Sequence, residues 1–188
     1  MRSSAMDLLQ LVENTMNASR LEAGKLSVHR EAFDPARMLH DLTAKIRVLP
    51  EARGPVALIW DVPSALPTVA LDRLKLQEIV QNLVSNALKF TIEGSVTIAA
   101  RVDHDRLRLT VQDTGPGIPA GAQERMFEMF ERGSGDHDGA RPGVGLGLYI
   151  VRNLVTLMGG TIALESAPGT GTRFTVEFPD VLAATQAA

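Results

Sequence analysis

Three short stretches carry residues whose types and spacing suit a charged, flat ligand. Asn82, Asn86 and Lys89 are spaced i, i+4, i+7, so on a helix they stack along one side. Leu76, Ile79, Val80, Leu83, Val84, Ala87 and Leu88 fall on another side, where they can pack. Asn is a poor residue for a helix interior, and two in register ask for a reason beyond solubility. Amide oxygens beside one Lys suit a magnesium ion carrying phosphates, with a solvated polar face as the plain alternative. The second stretch, Asp113-Thr114-Gly115-Pro116-Gly117-Ile118, follows a strand pattern directly. It reads as a tight turn, or as a carboxylate placed to accept from an exocyclic amine such as adenine's, with glycines that admit a flat ring. The third, Gly143-Val144-Gly145-Leu146-Gly147-Leu148, opens a helix pattern. Backbone N–H groups at a helix start bind phosphate, and glycines allow close approach. No strand precedes it and no Gly-x-x-x-x-Gly-Lys-Ser/Thr occurs, so neither common dinucleotide nor P-loop fingerprint applies.

Positioning these stretches requires a layered domain. Asp34-Pro35 starts a helix running to about Val48, Val56–Trp60 alternates like a strand, and a long helix is predicted over 72–90. Ser95–Val102 and Arg106–Gln112 form an expected antiparallel pair turning at Asp103-His104-Asp105. A helix over 120–130, a Gly-rich stretch over 133–147 and a helix over 145–158 follow, then strands over 161–165 and 172–178. Lys25–His29 also alternates like a strand, and residues 5–21 carry a helical stripe of Leu8, Leu11, Val12, Thr15 and Met16. The pattern implies an α+β two-layer sandwich, a mixed and mostly antiparallel sheet covered by helices on one face.

Composition narrows the function classes. The 188 residues have 19 Lys+Arg against 22 Asp+Glu, a net charge of −3, which supplies no global attraction to nucleic acid. Aromatics at 4% are too few for a base-stacking platform. With no cysteine, disulfides and thiolate metal sites are excluded. No apolar run approaches the roughly 20 residues that cross a bilayer, so direct membrane insertion is not expected. Six of the 16 glycines crowd into 133–147, which breaks regular structure there.

Taken in order, Asn82 to Phe90, Asp113 to Gly117, Phe127 to Phe130 and Gly143 to Leu148 resemble the N, G1, F and G2 boxes of sensor histidine kinases. Gly169-Thr170-Gly171-Thr172-Arg173-Phe174 is similar to that family's closing turn and strand, and the resemblance covers about Leu21 to Pro179. It implies the Bergerat (GHKL) ATP-binding fold, with ATP and Mg2+ as ligands. By resemblance Asn86 holds the metal with support from Asn82, and Lys89 meets phosphate. Asp113 takes the adenine amine beside Gly115, Gly117 and Ile118, with Phe90 and Thr172 also at the nucleotide. Residues 131–144 become a lid anchored by Phe127 and Phe130, with Arg132 or Arg141 at the γ-phosphate and Gly143, Gly145, Leu146, Gly147 and Leu148 at its end. Hydrolysing relatives resemble a Glu four residues before the metal-binding Asn; here Asn82 stands there and cannot act as a base, although Glu78 lies one turn earlier.

The resemblance further implies a phosphoacceptor histidine on a dimerising hairpin, of which residues 1–25 look like the end of the second helix. The acceptor is therefore expected upstream of Met1, on the same or a partner subunit, and His40-Asp41-Leu42 is not that motif because its Pro is missing. Residues 26–179 then form the catalytic ATP-binding domain and 180–188 a tail or linker to another domain such as a receiver. A cytoplasmic setting, a homodimeric parent and relay to a response regulator follow from the same likeness. A non-catalytic regulatory module of this fold, or an ATPase, are the alternatives.

Overall fold

The computed structural model describes residues 26–47, 52, 55–128 and 145–182. The expected helix over 5–21 and the residues Phe130, Arg132, Arg141 and Gly143 lie outside these.

The first elements are held by their caps. Strand β1 (Glu31–Phe33) leads into helix α1 (Pro35–Arg47), where Asp34 Oδ1 accepts the N–H groups of Ala36 and Arg37 at 2.8 and 3.3 Å. These bonds satisfy donors that a helix start leaves open, and Pro35 lacks an N–H that would need one. Strands β2 (Val56–Asp61) and β3 (Val69–Leu71) follow, then helix α2 (Arg73–Phe90). Asp72 caps α2, accepting from the Lys75 N–H and Nζ and from the His29 N–H. Burial works against its charge, but the Lys75 ammonium and these donors together hold its carboxyl below the usual value.

Strands β4 (Gly94–Asp103) and β5 (Arg106–Asp113) form a long hairpin. A short helix α3 (Ala120–Gln123) and a 3-10 turn (Arg125–Phe127) come next, then helix α4 (Gly147–Leu157) and strands β6 (Thr161–Ala167) and β7 (Gly171–Phe178). The main sheet has the order β2-β4-β5-β7-β6; β2 pairs parallel with β4 and every other pair is antiparallel. Strands β1 and β3 make a separate antiparallel pair.

Alternation along the strands separates the two faces of the sheet. Val96, Ile98, Ala100, Leu107, Leu109, Val111, Phe174, Val176 and Phe178 are buried beneath the helices. The cover consists of α1 through Met38, Leu39, Leu42 and Ile46, α2 through the seven apolar positions expected of it, and α4 through Ile150, Val151 and Leu154. The opposite face carries cross-strand ion pairs of Arg101 with Asp61, Arg106 and Arg108 with Glu177, and Arg173 with Glu165. The two-layer α+β sandwich is therefore the observed architecture.

Several local expectations need correction. Residues 26–30 are irregular and the strand falls at 31–33, because its partner β3 is distant in sequence and sets the register. The helix expected over 120–130 stops at Gln123, whose side-chain amide turns back to the Ile118 and Ser166 carbonyls. By Glu128 the backbone is extended. Helix α4 begins at Gly147 rather than Gly145, which has a φ of 73°. Packing also continues past Pro179: Val181 is fully buried, donates its N–H to Asp105 and accepts the N–H of Ala70.

Candidate nucleotide site

One helix connects the two ends of the site. At Asn82 and Asn86 its polar side meets the first residue of α4. A Cβ placed on Gly147 would lie 3.2 Å from Asn82 Oδ1 and 3.5 Å from Asn86 Nδ2. Asn82 Nδ2 donates to the Glu78 carbonyl at 2.9 Å, which leaves its oxygen turned toward Gly147. Two amides thus face the N-terminus of a helix, whose open N–H groups and dipole favour an anion. Among the described residues no group of three or more His, Asp and Glu could hold a metal ion. A divalent cation here would rely on neutral amide oxygens and on oxygens its ligand brings, a donor set that fits Mg2+ carried by phosphates.

Two turns further along, α2 reaches the Asp113 turn. A Cβ on Gly115 would meet Asp113 Oδ1 at 2.9 Å, the Phe90 carbonyl at 3.3 Å and Thr91 Oγ1 at 3.4 Å. Asp113 is 6% exposed, ends β5 and accepts the Gly115 N–H at 2.8 Å. Burial pushes its carboxyl above the ordinary value, and the N–H groups of Gly115 and Thr172 only partly offset this. A desolvated acceptor with few protein partners is suited to a ligand donor. From Asn82 to Phe90 the helix rise amounts to about 12 Å, a separation that the base and phosphates of an extended nucleotide can span.

The turn depends on glycine at two points. Gly117 has a φ of 70°, and a Cβ there would run into the Ala167 carbonyl. Gly171, with a φ of 83°, packs as closely on the Asp113 carbonyl. The β5 end and the β6–β7 turn therefore touch backbone to backbone, which brings Thr172 opposite Asp113 in register.

The remaining expected residues fall in two groups. Lys89 lies with Nζ 5.0 Å above the half-exposed Phe90 ring, past Asn86 on the same helix. Ile118 is partly buried and donates its N–H to Ser166 Oγ. Leu146 and Leu148, by contrast, are core side chains at 1% and 7% exposure, so only their backbone can serve a ligand. Phe127 has its ring edge-on to Phe174 at 6.2 Å and the Arg152 guanidinium 5.8 Å from its centre, while the lid it was expected to anchor lies outside the described residues.

Sequence reasoning missed Ser166 and Gln123. Ser166 Oγ receives the Ile118 N–H, donates to the Gly171 carbonyl and lies 3.1 Å from Thr172 Oγ1. Its signal was the alternation Ile162, Leu164, Ser166 on the covered side, hidden by ending the strand at Glu165.

With this geometry in view, the comparisons converge. Residues 71–182 match the family described as histidine kinase-, DNA gyrase B-, and HSP90-like ATPase. The sensor histidine kinase RcsC of Escherichia coli strain K12 is 36% identical over 183 residues, which is 95% of this chain and 19% of RcsC. The virulence sensor protein BvgS of Bordetella bronchiseptica is 36% identical over 190 residues, 93% of this chain and 14% of BvgS. The chain thus spans less than a fifth of either relative. The crystal structure of full-length ShkA in complex with AMPPNP superposes with a TM-score of 0.84 at 34% identity, over 98% of this chain and 38% of that one.

Proposed function

Because the chain belongs to the histidine kinase-, DNA gyrase B- and HSP90-like ATPase family, we propose that it is the ATP-binding catalytic part of a sensor histidine kinase, one that transfers the γ-phosphoryl of Mg-ATP to a histidine. The observation that carries this reading is the two-ended use of α2. Asn82 and Asn86 face the start of α4 at one end, and the Asp113–Gly115 turn packs on the other.

Asp113 accepts the adenine amine, while the open turn at Gly115 and Gly117 lets the ring lie against backbone. Lys89 and the N–H groups at the start of α4 hold phosphate oxygens and draw off charge as the γ-phosphoryl leaves. Asn86, supported by Asn82, would hold Mg2+, which neutralises phosphate charge when bound. Asn82 offers no base to activate water, so the phosphoryl group is kept for an imidazole nitrogen. The AMPPNP that ShkA binds and the sensor role of RcsC and BvgS support the same reading. Acceptor hairpin, dimeric parent and receiver partner belong to the proposal as well, since this chain spans less than a fifth of RcsC or BvgS. No described helix is long and apolar enough to cross a membrane.

The test is phosphotransfer. The chain, γ-labelled ATP and Mg2+ are mixed with the histidine-bearing hairpin of the parent protein. Acid-labile, base-stable label on the hairpin is expected. Steady release of free phosphate that Glu78→Ala abolishes, with no label on the hairpin, would make it an ATPase instead.

A further inference from the structure

The hydrogen bonds around Ser166 fix where one proton must lie. A serine hydroxyl has one proton and two lone pairs. Ser166 Oγ lies 2.8 Å from the Gly171 carbonyl, which can only accept, so the proton goes there. One lone pair takes the Ile118 N–H at 2.8 Å. The remaining contact, 3.1 Å to Thr172 Oγ1, is then satisfied by the threonine donating to the other lone pair. Thr172 is 7% exposed and stands opposite Asp113 in register, on the same covered face of the sheet. With its proton spent on Ser166, Thr172 Oγ1 can only accept. The edge offered to a ligand at the end of β5 and β7 is therefore made of two acceptors.

We propose that Ser166 is a positioning residue for base selection: by holding the Thr172 proton, it makes the site accept an exocyclic amine and reject a carbonyl in the same place. The inference rests on the nucleotide reading above. Ser166 is itself fixed by the Gln123 side chain, which donates to the Ser166 and Ile118 carbonyls at 2.8 and 2.9 Å. Base choice is thereby tied to the segment that follows the Asp113 turn. In the absence of the serine hydroxyl, the Thr172 proton is free to turn toward the ligand, and a carbonyl then finds a donor.

The experiment measures dissociation constants of Mg-ATP and Mg-inosine triphosphate, which carries a carbonyl in place of the amine. The chain is compared with Ser166→Ala, Thr172→Val and the double variant. The unaltered chain is expected to prefer ATP, and Ser166→Ala to lower that preference roughly tenfold, about the worth of one buried hydrogen bond. Thr172→Val keeps the shape but loses the hydroxyl, and Ser166→Ala is expected to change the ratio no further in its presence. A Ser166→Ala effect that weakens both nucleotides equally, or that persists undiminished beside Thr172→Val, overturns the proposal and leaves Ser166 a loop support. If Ser166→Ala does not fold, an unchanged ratio in Thr172→Val overturns it alone. Failure of the unaltered chain to bind either nucleotide would overturn the nucleotide reading, and this proposal with it.

Discussion

At the residue scale, the proposed role of Asp113 sets binding against the fold. Its carboxyl is held above the ordinary value of 3.8 by burial, so the folded chain favours the protonated form more than the unfolded chain does. A group raised in this way contributes fully to stability below its unfolded value, and that contribution is lost as pH rises through the folded one. At neutral pH the buried charge is a net cost. Asp113→Asn is expected to raise the melting temperature of the nucleotide-free chain by roughly 2–5 °C while removing most ATP affinity, since an amide cannot present two acceptor oxygens. Thermal melts and titrations on the same samples check both halves. A variant that is less stable, or that binds ATP normally, would contradict this assignment. Below neutral pH, ATP affinity is expected to fall before an exposed carboxylate would begin to protonate, because protonation removes the Asp113 charge and turns one of its two acceptor oxygens into a donor.

At the scale of elements, the contact between α2 and α4 can be probed without breaking the fold. Gly147→Ala suits a helix, where Ala is favoured over Gly by up to about 1 kcal/mol. Its Cβ would nevertheless lie 3.2 Å from Asn82 Oδ1, so the amide must give way. Unchanged or higher stability is expected, with Mg-ATP affinity down roughly tenfold; calorimetry checks it. Gly117→Ala should behave differently. Its positive φ and the collision with the Ala167 carbonyl are expected to cost about 2–3 kcal/mol, visible in denaturant unfolding. On the open face, the Arg108 and Arg106 guanidiniums hold the Glu177 carboxyl below its ordinary 4.5 against slight desolvation. A depressed carboxyl stabilises above its unfolded value, and that stability is lost as pH falls through the folded one. Glu177→Gln should cost at most about 1 kcal/mol at neutral pH, with the difference from the unaltered chain vanishing in acid.

These elements differ in how readable they were. The seven apolar positions of α2 and the cap at Asp34 act within a turn or two of chain, so local pattern revealed them. The strands at 31–33 and 69–71 are three residues each and exist through mutual pairing across nearly 40 positions; nothing local marks them. The early end of α3 depends on Gln123 reaching a carbonyl in β6. In the site, Asn82, Asn86, Asp113 and the glycines stood out because their types are unusual for their elements. Ser166 did not, since a serine near a strand end has many ordinary uses.

For the whole molecule, architecture and site express one arrangement. The sheet buries one face under three helices, and two of these, α2 and α4, meet at Gly147, the proposed phosphate end. The same α2 ends against the Asp113 turn, so the proposed base and phosphate ends are positioned by one rigid helix. Val181, buried beneath the hairpin turn at Asp105 and bonded to Ala70, closes the domain on the side of α1 and β3. The direct measurement of this account is a calorimetric titration of ATP into the chain with and without Mg2+, beside the same titration of Asn86→Ala. Binding that Mg2+ strengthens at least about tenfold is expected in the unaltered chain, and equal weak binding with or without Mg2+ in Asn86→Ala. Magnesium dependence undiminished in Asn86→Ala, or no ATP binding by the unaltered chain, would contradict it.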